Sequence, residues 1–147
     1  MTDNSHKTAK KRATLSRPMR YLHEKGLLRG KLLDYGCGRG DDAERLSMDK
    51  YDPCYFSGRP IALSYDTITC NYVLNVIKDE SSRKAVLSRI LRCLKPGGTA
   101  YISVRRDKFR EGVNARGTFQ ATVELDLPVL VEKKGKFITY ILKKQEK

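Results

Sequence analysis

Several chemistries are missing from this chain before any motif is sought. It has no apolar run of about 18 residues, so no stretch is suited to a membrane-spanning helix. The N-terminal stretch MTDNSHKTAKKRATLSRP is polar and basic. It lacks the apolar core of a signal peptide, and a cytoplasmic protein is expected. Cys37, Cys54, Cys70 and Cys93 stand 17, 16 and 23 positions apart. With no CxxC pair, a structural zinc site is not expected, and the thiols should be reduced and buried as small hydrophobes. His6 and His23, the two histidines, both lie near the N-terminus, where exposed structural roles are expected. There is no Ser-His-Asp set, no paired metal ligands, no internal repeat and no long low-complexity segment. Acid is scarce as well: 17 Asp and Glu face 30 Lys and Arg, a net charge of +13.

A chain of 147 residues with 39% hydrophobic and 32% charged residues fits one globular domain. Residues 1–17 read as a basic arm and 18–147 as the domain. The excess charge points to an anionic partner, nucleic acid first. It is unevenly spread. Residues 1–31 hold nine Lys and Arg against Asp3 and Glu24. A second run, Arg105, Arg106, Lys108 and Arg110, follows a predicted strand.

PMRYLHEKGLL fits a short helix with Pro18 in its first turn and Gly26 near its end. KLLDYG reads as a buried strand, DDAERL as a short helix opened by acids, and YDPCYFSGRP as a turn-rich loop. YDTITCNYVLNVI reads as a strand followed by a loop. DESSRKAVLSRILRCL is the clearest helix, with Val86, Leu87, Ile90, Leu91 and Leu94 on one stripe. KPGG should stop it, and TAYISVR should be a strand. VELDLPVLVEKKGKFITYILKK reads as two strands joined by a turn at Lys134-Gly135. Strands alternating with helices imply a mostly parallel α/β sheet, here ending in an antiparallel hairpin.

In such a sheet, ligands lie beyond the carboxyl ends of the strands where strand order reverses. GCGRG follows the first strand. Gly36, Gly38 and Gly40 leave that turn bare, and the helix at Asp41 offers free N–H groups. The dinucleotide fingerprint G-x-G-x-x-G would put its last glycine on Asp41. Asp41 and Asp42 would repel a pyrophosphate and suit a cationic ligand instead, which disfavours a nicotinamide cofactor.

LLDYGCGRG resembles motif I of the class I S-adenosylmethionine-dependent methyltransferases. YDTITCNYVLNVI resembles their fourth motif. LRCLKPGGTAYISVR resembles the helix, turn and fifth strand that follow. More narrowly, TLSRPMRYL, DYGCGRGDDAERL and NYVLNVI are similar to a group of short bacterial and phage proteins. That group includes methyltransferase-like proteins associated with DNA phosphorothioation. The resemblance implies a Rossmann-like fold and S-adenosylmethionine as cofactor. It implies that Gly36, Gly38 and Gly40, with Cys37 between them, line the methionine and ribose portion. Asp34 would bind the amino group, and Asp52 the ribose hydroxyls with its two acceptor oxygens. Asn71 and Tyr72 would face the methyl group and the substrate, Asn71 also touching the cofactor.

The pattern breaks after Gly40. Eleven residues separate Gly40 from Asp52 and thirteen separate Asp52 from Asp66, too few for a full second strand, a third strand and their helices. Asp66 is a candidate adenine-binding acid or only a turn residue that opens a strand. Tyr55, Phe56 and Ile61 are candidate apolar walls for adenine, or core residues. The adenine side is therefore expected to be open, and completion by a partner chain is one way to close it. Tyr51-Asp52-Pro53-Cys54-Tyr55 faintly resembles the D-P-P-Y motif of amino-methyltransferases, but it sits too early and carries cysteine in third place. RRDKFREGVNARGTFQ mixes cations with Phe109 and Phe119, which suits phosphates and bases or a plain solvated connection. The expected function is methyl transfer from S-adenosylmethionine to nucleic acid or a nucleotide. The alternative is a non-catalytic nucleic-acid-binding protein that kept the fold.

Overall fold

Ser16 precedes Arg17 and Pro18, and there the first helix begins. The computed structural model describes residues 14–107, 111–113 and 119–146. Helix α1 (Arg17–Glu24) has Ser16 at its N-cap and proline in its first turn, where a missing N–H costs nothing. It ends before the expected LL. Gly26, at φ +68°, donates to the His23 carbonyl at 3.1 Å, and Leu27 N–H reaches Leu22 at 3.0 Å, a Schellman turn. Leu27 therefore lies beyond the helix.

β1 (Leu32–Tyr35), α2 (Asp41–Arg45), β2 (Asp49–Tyr51) and β3 (Tyr65–Asn71) follow, then α3 (Glu80–Cys93) and β4 (Leu94–Arg105). The chain closes with β5 (Gly112–Val113), β6 (Phe119–Gln120), β7 (Val129–Lys133) and β8 (Phe137–Lys143). Six strands form one sheet in the order β2-β1-β3-β4-β8-β7. The first four in that order run parallel. β8 pairs antiparallel with β4, and β7 with β8, joined by the expected turn after Lys133. β5 and β6 form a separate small ribbon. This is the Rossmann-like arrangement with a terminal hairpin.

The second strand is three residues long, and among the described residues no strand lies between Asp52 and Tyr65. β2 is thus the sheet edge. LKPGG belongs to β4 rather than preceding it: Leu94 pairs with Tyr65, the register shifts, and Thr99 pairs with Thr67. Pro96 cannot donate to a ladder, and the irregularity falls around it. A Cβ on Gly98 would lie 2.9 Å from the Lys95 carbonyl oxygen, so only glycine fits that fold-back.

The two faces of the sheet differ in chemistry. One buries Leu33, Tyr35, Ile68, Cys70, Ile102 and Val104 against Val86 and Ile90 of α3. The other carries Asp34, Thr69, Ser103 and Thr139, all buried, and Met19 of α1 reaches Asn71 on it. The expected stripe on α3 is present, with Val86 and Ile90 buried and Leu87 and Leu91 partly so. Of the cysteines, Cys70 and Cys93 are buried, but Cys37 is only half-buried and Cys54 is exposed. The loop at 52–56 lies on the surface and carries Cys54 with it.

A 3-10 turn, Leu74–Val76, anchors the return from the small ribbon. The Asn75 carbonyl accepts from Ala121 N–H at 2.8 Å, and Asn75 Nδ2 donates to Gln120 Oε1 at 3.0 Å. Arg106 donates to the Val123 carbonyl and the Tyr140 hydroxyl nearby. Asn75 and Gln120 are both buried. Asn75→Ala should cost about 1–3 kcal/mol by stranding the Gln120 carbonyl. Adding Gln120→Leu should recover part of that loss. Urea unfolding of the two single variants and the double variant checks this; strictly additive losses would refute it.

Candidate functional site

Strand order reverses at β1, which has β2 on one side and β3 on the other. The chain leaves β1 through Gly36, Gly38 and Gly40, all at positive φ (84°, 58° and 83°). A Cβ on Gly36 would strike Val73 Cγ2, and one on Gly40 would lie 3.1 Å from Lys50 Cδ and Phe56 Cε2. The loop is thus pressed between the turn after β3 and the segment after β2. Gly36 and Cys37 N–H both donate to the Tyr51 carbonyl, at 2.7 and 3.0 Å. The Cys37 thiol is pushed up to about 12, first by burial and then by Asp34 and Asp52, so it is no nucleophile near neutrality.

Asp34 lies below this loop. Its carboxylate is buried and accepts from Thr69 Oγ1 at 2.8 Å. Burial raises its pKa to about 7, against the lowering effect of the Thr69 bond, with smaller upward pushes from Asp42 and Asp52. Burial thus favours the neutral acid, and a cation placed beside it would favour the carboxylate.

Asp52 follows β2 directly. Its Oδ2 accepts from Gly38 N–H at 2.9 Å, and its Oδ1 from the N–H groups of Cys54 and Tyr55 at 2.9 and 3.2 Å. A carboxylate offers about four lone-pair positions, so three backbone donors leave little room. A diol held here would have to displace at least one of them to be gripped by both oxygens. Asp52 is therefore also the strut that ties the glycine loop to the turn after β2.

Asn71 ends β3 on the same face as Asp34 and Thr69. Its Nδ2 contacts Met19 Sδ at 3.9 Å, and its Oδ1 is buried without a hydrogen-bond partner. Tyr72 follows at φ +64°, a conformation costly for a non-glycine residue. Its N–H donates to the Ser103 carbonyl at 2.8 Å, which holds the strained turn over the sheet edge.

Arg39, Asp41, Tyr55 and Phe56 line an open cleft of about 270 Å³ beside the loop. The Arg39 guanidinium lies 5.2 Å from the Tyr55 ring centre. Ile61 is not part of this cleft and is 70% exposed. Asp66 stands at the opposite, amino end of β3. There it accepts from Lys31 N–H at 2.7 Å and pairs with Lys95 at 3.2 Å, so it opens a strand and takes no part in the crevice.

Of the cations expected to contact nucleic acid, Arg105 is engaged by Asp107 at 2.7 and 2.8 Å, and Arg106 by carbonyls and Tyr140. Lys108 and Arg110 lie outside the described residues, as does the arm up to residue 13. Sequence reasoning missed the tie between α1 and α2. Asp42 accepts from Ser16 N–H at 3.1 Å and from its hydroxyl at 2.6 Å. The signal available was only a serine before Arg17-Pro18.

A family model described as a methyltransferase domain matches residues 6–139. No curated protein sequence matches. Among solved structures, the 1,6-didemethyltoxoflavin-N1-methyltransferase of Burkholderia thailandensis, with bound 1,6-didemethyltoxoflavin and S-adenosylhomocysteine, is 19% identical. The match covers 88% of this chain and 77% of that one, with a TM-score of 0.58. The N-methyltransferase NodS of Bradyrhizobium japonicum WM9, in complex with S-adenosylhomocysteine, is 13% identical over 86% and 84%, with a TM-score of 0.52. A Sulfolobus solfataricus protein assigned as a type 11 methyltransferase is 21% identical over 90% and 94%, with a TM-score of 0.55.

Asp34 makes a pH prediction. Its folded pKa of about 7 exceeds the ordinary 3.8. Its contribution to stability is therefore full below pH 3.8 and is lost as pH rises to about 7. Asp34→Asn, which still accepts from Thr69, should melt close to wild type near pH 4 and clearly above it at pH 8. Thermal melts across that range check this, and a pH-independent gap would overturn it.

Proposed function

The chain belongs to the methyltransferase-domain family, and on that footing we propose that it transfers a methyl group from S-adenosylmethionine to a nucleic-acid or nucleotide acceptor. The observation that carries the cofactor half is the buried, unpartnered Oδ1 of Asn71 beside the buried carboxylate of Asp34. An acceptor and an anion under a bare glycine loop suit an ammonium group. The residues present therefore fit this cofactor.

When bound, S-adenosylmethionine supplies a methyl group already activated by a sulfonium. The protein's task is alignment. Asp34 would hold the ammonium, and the arriving cation would draw its pKa down, so the carboxylate becomes a committed anion. Gly36, Cys37, Gly38 and Gly40 would let the ligand lie against backbone. Asp52 would exchange part of its backbone bonding for the ribose hydroxyls. Tyr55 and Phe56 offer apolar walls in the adjoining cleft. Asn71 and Tyr72, fixed at the end of β3, would orient the acceptor. This accords with a site in which, among the described residues, no acid-base pair is built.

The acceptor half rests on charge. The Burkholderia enzyme's structure holds a small heterocycle, whereas this chain carries a net +13, which favours a polyanion. The missing third strand leaves β2 at the sheet edge, where a second chain would complete the adenine side.

Calorimetric titration with S-adenosylmethionine and S-adenosylhomocysteine should give saturable micromolar binding. Gly38→Val should abolish it while α3 stays folded by circular dichroism. Affinity should fall by up to about tenfold per pH unit below 7 as Asp34 takes up its proton. Full affinity in Gly38→Val, or no binding by the wild type, would sink the reading.

A further inference from the structure

The sheet's direction brings a second set of cations to the site. β8 runs antiparallel to β4, with Phe137 opposite Arg105. The turn between β7 and β8 therefore projects past the carboxyl ends of β3 and β4, the edge that holds the glycine loop and Asn71. That turn carries Lys133, Lys134 and Lys136, all exposed. It is fixed to the end of β4, since Arg106 N–H donates to the Lys136 carbonyl at 2.9 Å. α1 reaches the same edge through Met19 and Asn71, and presents Arg17, Arg20 and Lys25 as exposed residues.

These two elements meet at one ring. The ammonium groups of Lys25 and Lys133 stand 5.7 and 5.4 Å from the centre of Tyr21. Two like charges thus gather on one aromatic side chain. Among the described residues, none of Arg20, Lys25, Lys133, Lys134 and Lys136 forms a salt bridge. Arg17 acts on Asp107, which Arg105 already engages. Glu24 and Glu132 are the acids of these two elements, and neither forms a salt bridge among the described residues. Arg20 gives one guanidinium nitrogen to the Leu15 carbonyl and the Thr14 hydroxyl, at 3.3 and 3.5 Å, and stays exposed, whereas Arg105 and Arg106 are only part-exposed and donate to Asp107, to carbonyls and to Tyr140. A cluster of exposed cations without salt bridges among the described residues, on two elements beside a crevice, is the footprint of a phosphate backbone.

We propose that α1 and the β7–β8 turn together form the surface that holds a nucleic-acid backbone against the crevice. Backbone contacts of this kind fix position and carry no sequence preference. Tyr21 keeps Lys25 and Lys133 gathered where α1 meets the turn. This rests on the acceptor half of the function proposed above and is independent of its cofactor half.

The test is binding of fluorescently labelled single-stranded and duplex oligonucleotides to the full chain by anisotropy, across a salt series. Lys133→Gln/Lys134→Gln/Lys136→Gln should weaken binding and make the slope of log K against log salt shallower by about 2. Arg20→Gln/Lys25→Gln should act in the same direction. Arg92→Gln/Lys143→Gln, which removes two charges at the opposite end of the strands, as Arg20→Gln/Lys25→Gln does near the crevice, should leave the slope nearly as it was. S-adenosylhomocysteine affinity, measured on the same proteins, should not move. Any failure of the cofactor reading therefore appears separately. An unaltered slope in the triple variant would overturn the surface. So would equal losses in the opposite-end control, or polyglutamate binding as tightly as nucleic acid.

Discussion

A carboxylate buried under a sheet face, with one hydroxyl to hold it, is the constraint around which this small protein is arranged. Burying an ionised group is expensive unless it is paired. Among the described residues Asp34 accepts a side-chain hydrogen bond from Thr69 alone, and burial raises its pKa against that bond. The polar character of the whole face follows. Thr69, Asn71, Ser103 and Thr139 line it, and Ser103 and Thr139 satisfy each other at 2.7 Å. The larger of the two apolar clusters lies on the opposite face, against α3. The face that carries Asp34 is covered instead by a smaller apolar cluster, Met19, Ala43 and Met48, so the polar residues share it with less apolar packing than α3 supplies.

The same economy governs the glycine loop. Here three residues of β2 must position the loop, and side-chain bonds replace the missing strand. Asp52 ties Gly38 to the turn at 54–55, and the Tyr51 carbonyl takes both Gly36 and Cys37. On the far side, Val73 closes against Gly36. The loop is therefore held by the residues that would contact the cofactor. Under the proposed function, ligand binding and loop support would be competing uses of Asp52, because the same oxygens already hold three backbone N–H groups.

What was readable in the sequence was local. GCGRG carries its meaning in spacing, α3 in its stripe, and the terminal hairpin in Lys134-Gly135 between two β-rich runs. β2 was scarcely readable because Asp49-Lys50-Tyr51 has no alternation to mark it and forms only because β1 offers an edge. The absorption of LKPGG into β4 was hidden because proline and glycine normally end a strand. Contacts between distant residues left no trace: Asn75 with Gln120 is 45 positions apart and Ser16 with Asp42 is 26 apart. Asp66 could not be assigned until its end of the strand was known, because one aspartate serves equally at either edge.

The charge distribution shows why topology and composition must be read together. In the chain, the cations of α1 and those after β7 are separated by more than a hundred positions, and either run alone would pass for a solubilising surface. A parallel sheet sends every strand's carboxyl end to one edge, where ligands gather. Adding an antiparallel hairpin to that sheet forces the hairpin's own turn to the same edge, whatever the turn contains. A turn of lysines placed there has only two physical consequences. It raises the positive potential over the crevice, and it repels α1, which is also basic. The fold bears the second, partly by gathering Lys25 and Lys133 on Tyr21. The first is the compensating gain only if something anionic must approach that edge.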